Sequence, residues 1–434
     1  MSIQTKKIFG ILVLMLICST CFQDLISLPY FGNKIQLTEI LFPFAVLFFP
    51  FSELKRIRFS KKEIIFFLLL FFYLLINVIS SLNSLISASI FESFGRIYLA
   101  LLFLLLIVFF TMIIQVRMNS IVSQVFFHMG WGLSLLSLSG YVLLYFNIEN
   151  PFVYKFEEYP YLGTVYRLRG PTFTPSMLIT ILSCCLIFSV NGYKTLPFRK
   201  SIRNLLIGLI IIACLLTFSK TLILICWGLG IWLWNRHFRL SWFVILSSII
   251  PVIAFLFITT HYVFARPGSE QYRKYIATNF VSRKVAFKIG NTDALETCYL
   301  LNKKIALELT GQNYFLGIGA GNFNNEIDKR KQEGNYPVNF LSYDPHSTYF
   351  GSLAENGIPG FIAMSGVLIL ILLGYIKLQS IKSDPFFQSI FALLVIFYVE
   401  AISTDIMNFR HFWVLLAIAF AYMHNKNRKV LYPD

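Results

Sequence analysis

The stretch HSTYFGSLAENGIPG, residues 346–360, sets an imidazole ahead of two glycines and a long apolar run. A neutral imidazole can take a proton from a hydroxyl, as a general base does near physiological pH. Asp344-Pro345 reads as an N-cap followed by a first-turn proline, so His346 is expected in the first turn of a short helix. The positive end of that helix would disfavour imidazolium. The helix is expected to break at Asn356-Gly357-Ile358-Pro359 and to be followed by a membrane span. A solitary interfacial histidine is more often a hydrogen-bonded structural residue, so the weight of His346 depends on what surrounds it.

Its candidate company is cationic. RLRGPTFTPS carries Arg167 and Arg169, FSKT carries Lys220, and NFRHFW carries Arg410. The planar fork of arginine grips phosphate through paired hydrogen bonds, whereas lysine supplies a compact point charge; together they suit a diphosphate. The plainer alternative is that the arginines snorkel to lipid headgroups. HExxH and HxxxH are absent and the six histidines are scattered, which disfavours a zinc site. FLGIGAGNF, residues 315–323, departs from GxGxxG at Asn322 and reads as a tight turn. No GxxxxGK[ST] is present either. No cofactor is expected, and an enzyme here would draw its energy from the substrate.

The elements that must position these residues are membrane helices. Of 434 residues 57% are hydrophobic, 17% aromatic and 13% charged, with mean hydropathy +0.69, a composition for a polytopic membrane protein rather than soluble domains. The net charge of +16 is therefore sorted by membrane side before any nucleic-acid partner is considered, and none is expected. Apolar runs begin near residues 8, 35, 64, 97, 122, 176, 204, 221, 241, 358, 386 and 411, giving an all-α fold of about twelve spans. The first run follows Lys6 and Lys7 like a secretory signal, but without a small-x-small cleavage site it reads as a span.

With the N-terminus inside, nineteen bases fall in cytoplasmic segments and seven in short outer loops: Lys34, Arg96, Lys155, Arg167, Arg169, Lys220 and Arg410. The positive-inside rule then puts both termini in the cytoplasm. Spans one to nine occupy 1–262, with an outer loop at 147–175. A large external loop fills 263–345, and an external helix with spans ten to twelve fills 346–434. The run from 204 to 234 is too long for one helix without heavy tilt, so two short helices are expected to meet at Phe218-Ser219-Lys220-Thr221, with Lys220 slightly sunk and in need of a counter-charge. Within the large loop, Leu300, Leu301, Ile305, Ala306 and Leu309 line one face of a helix that could lie on the membrane or cap a cavity. The seven cysteines sit mostly in apolar runs and offer no disulfide framework.

Four of these places together resemble the O-antigen ligase and O-antigen polymerase superfamily of bacterial envelope glycosyltransferases. His346-Ser347, nine residues, then Gly357-Ile-Pro-Gly360 is similar to its histidine and GxxG pattern. Arg167-Leu-Arg-Gly170 is similar to its RxxG element, Ser219-Lys220 to its Ser-Arg turn, and Gly317-Ile-Gly319 to its GxG. The similarity covers roughly 160–425 in matching order, and lysine replaces the usual arginine at the turn. The resemblance implies metal-independent transfer of a glycan from undecaprenyl diphosphate to an acceptor sugar hydroxyl, on the outer face of the bacterial inner membrane. Arg167 and Lys220, with Arg169 and Arg410, would hold the diphosphate; His346 would deprotonate or orient the hydroxyl. The implied partners are the lipid-linked donor, an acceptor that is a growing chain or lipid A-core, and a chain-length regulator protein. Polymerase and ligase stay open, with a lean to polymerase. A flippase of lipid-linked oligosaccharide is the rival, disfavoured because the bases cluster at membrane edges while the spans hold little charge beyond Glu39 and Glu400.

Overall fold

A computed structural model describes residues 3–24, 27–30, 33–55, 57–84, 87–114, 118–159, 163–238, 242–270, 272–273, 285–336, 344–378 and 384–431. Among these residues ten α-helices precede the large loop: α1 Ile3–Ser19, α2 Leu37–Leu47, α3 Phe51–Leu54, α4 Lys61–Ser84, α5 Ser87–Ile114, α6 Met118–Tyr145, α7 Pro175–Asn191, α8 Lys200–Leu216, α9 Thr221–Phe238 and α10 Trp242–His261. Five follow its first strands: α11 Cys298–Gln312, α12 Phe323–Gln332, α13 Thr348–Lys377, α14 Pro385–Glu400 and α15 Arg410–Leu431.

Their starts are chemically marked. Ser60 and Glu63 close a reciprocal capping box on α4, at 2.6 and 3.4 Å. Thr174 caps α7 ahead of Pro175, and Asp384 caps α14 ahead of Pro385.

A helix lies at each of the twelve apolar runs, yet length and composition qualify four to cross a membrane: 61–84, 89–113, 118–145 and 348–377. Five others are apolar but shorter. Eleven-residue α2 reaches only about 16 Å at 1.5 Å per residue, half a hydrocarbon core, so it does not cross alone. The protein is thus a mostly helical membrane protein with four qualifying spans among the described residues. Parts of the expected outer segment, 274–284 and 337–343, and several expected cytoplasmic bases, Arg56, Arg117 and Lys382 among them, lie outside the described residues.

The all-α expectation omits three small antiparallel sheets. β1 Ser27–Tyr30 pairs with β2 Asn33–Gln36; β3 Val153–Tyr159 pairs with β4 Gly163–Leu168. β5 Tyr262–Ala265, β6 Val285–Ile289 and β7 Thr292–Glu296 form a sheet in the order β5-β7-β6. Alternation over such short segments is masked by neighbouring apolar runs, so a reading for spans passes over them.

In the helical core α15 lies on α5, α13 on α4, and α14 on α9 and α7. Phe66, Phe103, Trp413 and Phe420 interlock there at ring separations of 5.2–6.0 Å. A second, smaller core joins α11, α12 and the first half of α13 through Ile305, Leu309, Phe323, Ile327 and Ala354.

Candidate functional site

The β3–β4 hairpin presents the first cation. Its register sets Arg167 opposite Tyr154, and Gly170 closes the exit with a left-handed φ of 56°. A Cβ on Gly170 would lie 2.2 Å from Ser137 Oγ of α6, so only glycine lets the hairpin seat there. Arg167 Nε donates to the Thr217 carbonyl at 3.1 Å, and its guanidinium lies 5.7 Å from the centre of the Phe156 ring. Thr217 is the C-cap of α8, where partial negative charge favours a cation.

The second cation stands in the next turn. α8 ends at Leu216 and α9 starts at Thr221, so the run from 204 to 234 is two helices. The turn between them is tight, with φ 45° at Phe218, although α8 packs on α6 and α7 while α9 packs on α14. Lys220 Nζ donates to the carbonyl of Thr259 in the last turn of α10. Burial, with the charge of the neighbouring Arg167 second, lowers Lys220 to about 8. Among the described residues Lys220 thus meets a carbonyl and a second cation in place of the expected counter-charge.

His346 stands just outside the helix, one residue before its N-cap, and not in the first turn as the sequence implies. Ser347 is the N-cap of α13, its hydroxyl accepting from Phe350 N, and His346 precedes the helix with a left-handed φ of 44°. The Asp344 carboxylate holds this shape by accepting from the His346 amide at 2.8 Å; it also lies 3.4 Å from Nδ1. The proline that was expected to start the helix lies two residues outside its cap, because Ser347 can cap and tie the loop to the chain after α14 by donating to the Ala401 carbonyl at 3.1 Å. Burial lowers the pKa of His346, Asp344 opposes this, and Lys303 adds to the lowering.

Lys303 and His261, which the sequence reading did not single out, join the two halves. Lys303 Nζ lies 2.8 Å from His261 Nε2, and the charges of both Lys303 and Lys220 reach His261. Lys303 lies within electrostatic reach of His346, and Lys220 within that of Arg167. A signal did exist: Lys303 falls between apolar positions on the buried face of α11, where a solvated lysine has no place.

The glycine elements serve each other. α13 breaks at Gly357 (φ 65°, ψ −173°) as the sequence implies. The GxG turn docks on that break: Ile318 N donates to Ala354 O at 3.0 Å, Gly319 N to Glu355 O at 3.0 Å, and Ile358 N to Tyr314 O at 2.8 Å. Cβ atoms at Gly317 and Gly357 would fall 2.4 Å from the Glu355 carbonyl carbon and 2.5 Å from the Phe315 oxygen. Gly360, after the break, keeps α13 close to Ile76 of α4, to which a Cβ would come within 3.2 Å.

The remaining bases are placed elsewhere. Arg169 lies 3.4 Å from the Asp24 carboxylate and donates to the Pro151 carbonyl at 2.6 Å. Arg410 grips Glu39 at 2.6 and 2.8 Å, joining α15 to α2. Arg96, counted from sequence as an outer-loop base, lies inside α5, 7% exposed, and bonds Asn77 and Glu355. With Tyr73, Asp344, Thr348 and Asp405 it lines a small cavity beside the His346 loop. Among the described residues no cluster of three or more histidine, cysteine or acidic side chains could hold a metal.

Fold and site together define a helical membrane protein with a cationic cluster near a histidine loop. Residues 205–365 match the family described as O-antigen ligase, which supports the superfamily kinship indicated by the motifs. The match contains Lys220, His261, Lys303, His346 and Gly360; Arg167, Arg169 and Arg410 fall outside it. The family implies glycosyl transfer. No curated protein matches the chain.

Proposed function

We propose that the protein transfers a glycan from a polyprenyl diphosphate, undecaprenyl diphosphate in bacteria, to an acceptor sugar hydroxyl at the outer face of the cytoplasmic membrane. The observation that supports this most is the pairing of two cations, Arg167 and Lys220, at the ends of α8 and α10, with Lys220 linked through His261 and Lys303 to the His346 loop. The anomeric carbon–oxygen bond to the diphosphate breaks as the acceptor oxygen bonds that carbon. His346 takes the hydroxyl proton, and Arg167 and Lys220 meet the charge that grows on the leaving diphosphate. No metal enters this scheme. The diphosphate role that the sequence spreads over four bases we narrow to these two, because Arg169 and Arg410 are committed to Asp24 and Glu39.

Within the family reading we favour a polysaccharide polymerase over an O-antigen ligase; the two share the chemistry and differ in acceptor. The test is the glycan phenotype of a deletion strain. Single repeat units on the lipid carrier identify a polymerase, and polymer retained on the carrier identifies a ligase. Lipid-linked units trapped on the cytoplasmic face would replace the transferase with a flippase.

A further inference from the structure

Lys303 and His261 have no part in the scheme above, and both are buried, with 3% and 0% of their surfaces exposed. His261 Nδ1 lies 2.7 Å from the Phe257 carbonyl oxygen, which can only accept, so Nδ1 bears the proton. Nε2 is then a lone pair, and the Lys303 ammonium donates to it at 2.8 Å. The arrangement is a charged lysine held on a neutral imidazole. Backbone ties fix it: the Thr297 hydroxyl donates to Thr260 O at 2.8 Å and the Thr297 amide to His261 O at 2.9 Å, so α11 starts on the end of α10. Tyr299, one turn before Lys303 on α11, meets the His346 ring edge-on at 4.8 Å. One face of one helix therefore carries both the contact to His346 and the cation beside it.

We propose that Lys303, aimed by His261, is a positioning residue for the transfer: a buried cation between His346 and the Arg167–Lys220 pair that keeps the His346 imidazole free of its proton and adds to the pull on an anionic leaving group. The pull on the leaving group rests on the transferase reading; the effect on the imidazole does not. Among the described groups that face His346 are Asp344 from its own loop, which attracts the proton, Lys303 from α11, which repels it, and the phenol ring of Tyr299. Asp405, in the turn before α15, acts on this set through its repulsion with Asp344. Burial lowers Lys303 to about 8, with Asp344 opposing, so it still carries its charge at neutral pH.

Diethyl pyrocarbonate acylates unprotonated imidazole, so its rate at His346, followed by peptide mass spectrometry from pH 4.5 to 8 on the full chain in detergent, reports that ring without any substrate. The wild-type midpoint is expected below the ordinary histidine value of about 6.5. Lys303→Met should raise it by about half to one pH unit, because removing a nearby cation favours imidazolium. Lys303→Arg should keep the wild-type midpoint. So should Lys304→Met, since Lys304 points away and pairs with Glu296 at 2.7 Å. His261→Gln, which spares the charge but loosens its aim, should shift the midpoint less than Lys303→Met and serves if that variant does not fold. An unmoved midpoint in both variants, or a lowered melting temperature with no shift, overturns the proposal. A His346→Ala protein with full transfer would instead sink the transferase scheme and leave the midpoint result standing.

Discussion

At the scale of the residue, charge and protonation decide what each group can do. His346→Ala should leave a folded, membrane-inserted protein that binds prenyl diphosphate donor yet transfers glycan about 10²–10⁴-fold more slowly, the usual worth of a general base. Turnover with purified lipid-linked donor measures this, and wild-type rates would remove the base role. Lys220→Ala should cost about 10²–10³-fold, as lost stabilisation of a growing charge does, while Lys220→Arg should retain much of the activity. The same lysine carries a pH signature. With its pKa lowered to about 8 it loses its charge as pH rises through that value, so farnesyl diphosphate should bind the wild type more weakly above about pH 8 than the Lys220→Arg protein. Between about 8 and 10.5 the unfolded chain holds this proton and the folded chain does not, so this one group makes the fold more stable as pH rises across that window. Parallel binding curves for the two proteins up to pH 10 would show that Lys220 does not meet the diphosphate.

At the scale of the element, the break in α13 and the GxG turn form one unit that sets the course of the chain through the histidine loop. Gly317→Ala puts a Cβ against backbone that cannot retreat, in a left-handed conformation that L residues avoid. It should lower stability by about 2 kcal/mol or more, on the scale of local backbone strain with a steric term added. Melting in detergent tests this, and a shift under 1 °C would show that the turn yields. Because this turn also packs on the first half of α13, the variant should slow transfer even at temperatures where it stays folded.

At the scale of the whole molecule, orientation decides whether the site meets a lipid-linked donor outside the cell. Single cysteines placed at exposed positions such as Lys288 or Lys304 should react with an impermeant thiol reagent from outside, while cysteines near either terminus should be protected. Reaction of residues 194–203 from outside would invert α7 and α8 and place the Arg167 hairpin on the wrong side. The charge count argues for the expected result, since short segments between helices hold many more bases on one side than on the other.

The sequence by itself determined the class: composition requires membrane helices, and the ordered spacing of His346, Gly357 and Gly360 with Arg167, Gly170 and Lys220 nominates a candidate site. The turn at Phe218–Thr221 and the break at Gly357 were legible because backbone conformation is a local property written in glycine, proline and the ends of apolar runs. The position of the helix cap was not, since Asp344 and Ser347 are both good caps and the choice fell to the carbonyl of Ala401, 54 residues from Ser347, which accepts from the Ser347 hydroxyl and the Thr348 amide. The fate of the bases was not legible either. Arg96, Arg169 and Arg410 find Glu355, Asp24 and Glu39, at sequence separations no motif records, and Arg167 and Lys220 are brought together by the turn between α8 and α9. Lys303 and His261, 42 residues apart, make one hydrogen bond only because α11 starts on the end of α10. The charge of a side chain is a property of its type; what stands opposite that charge is decided by how distant helices pack.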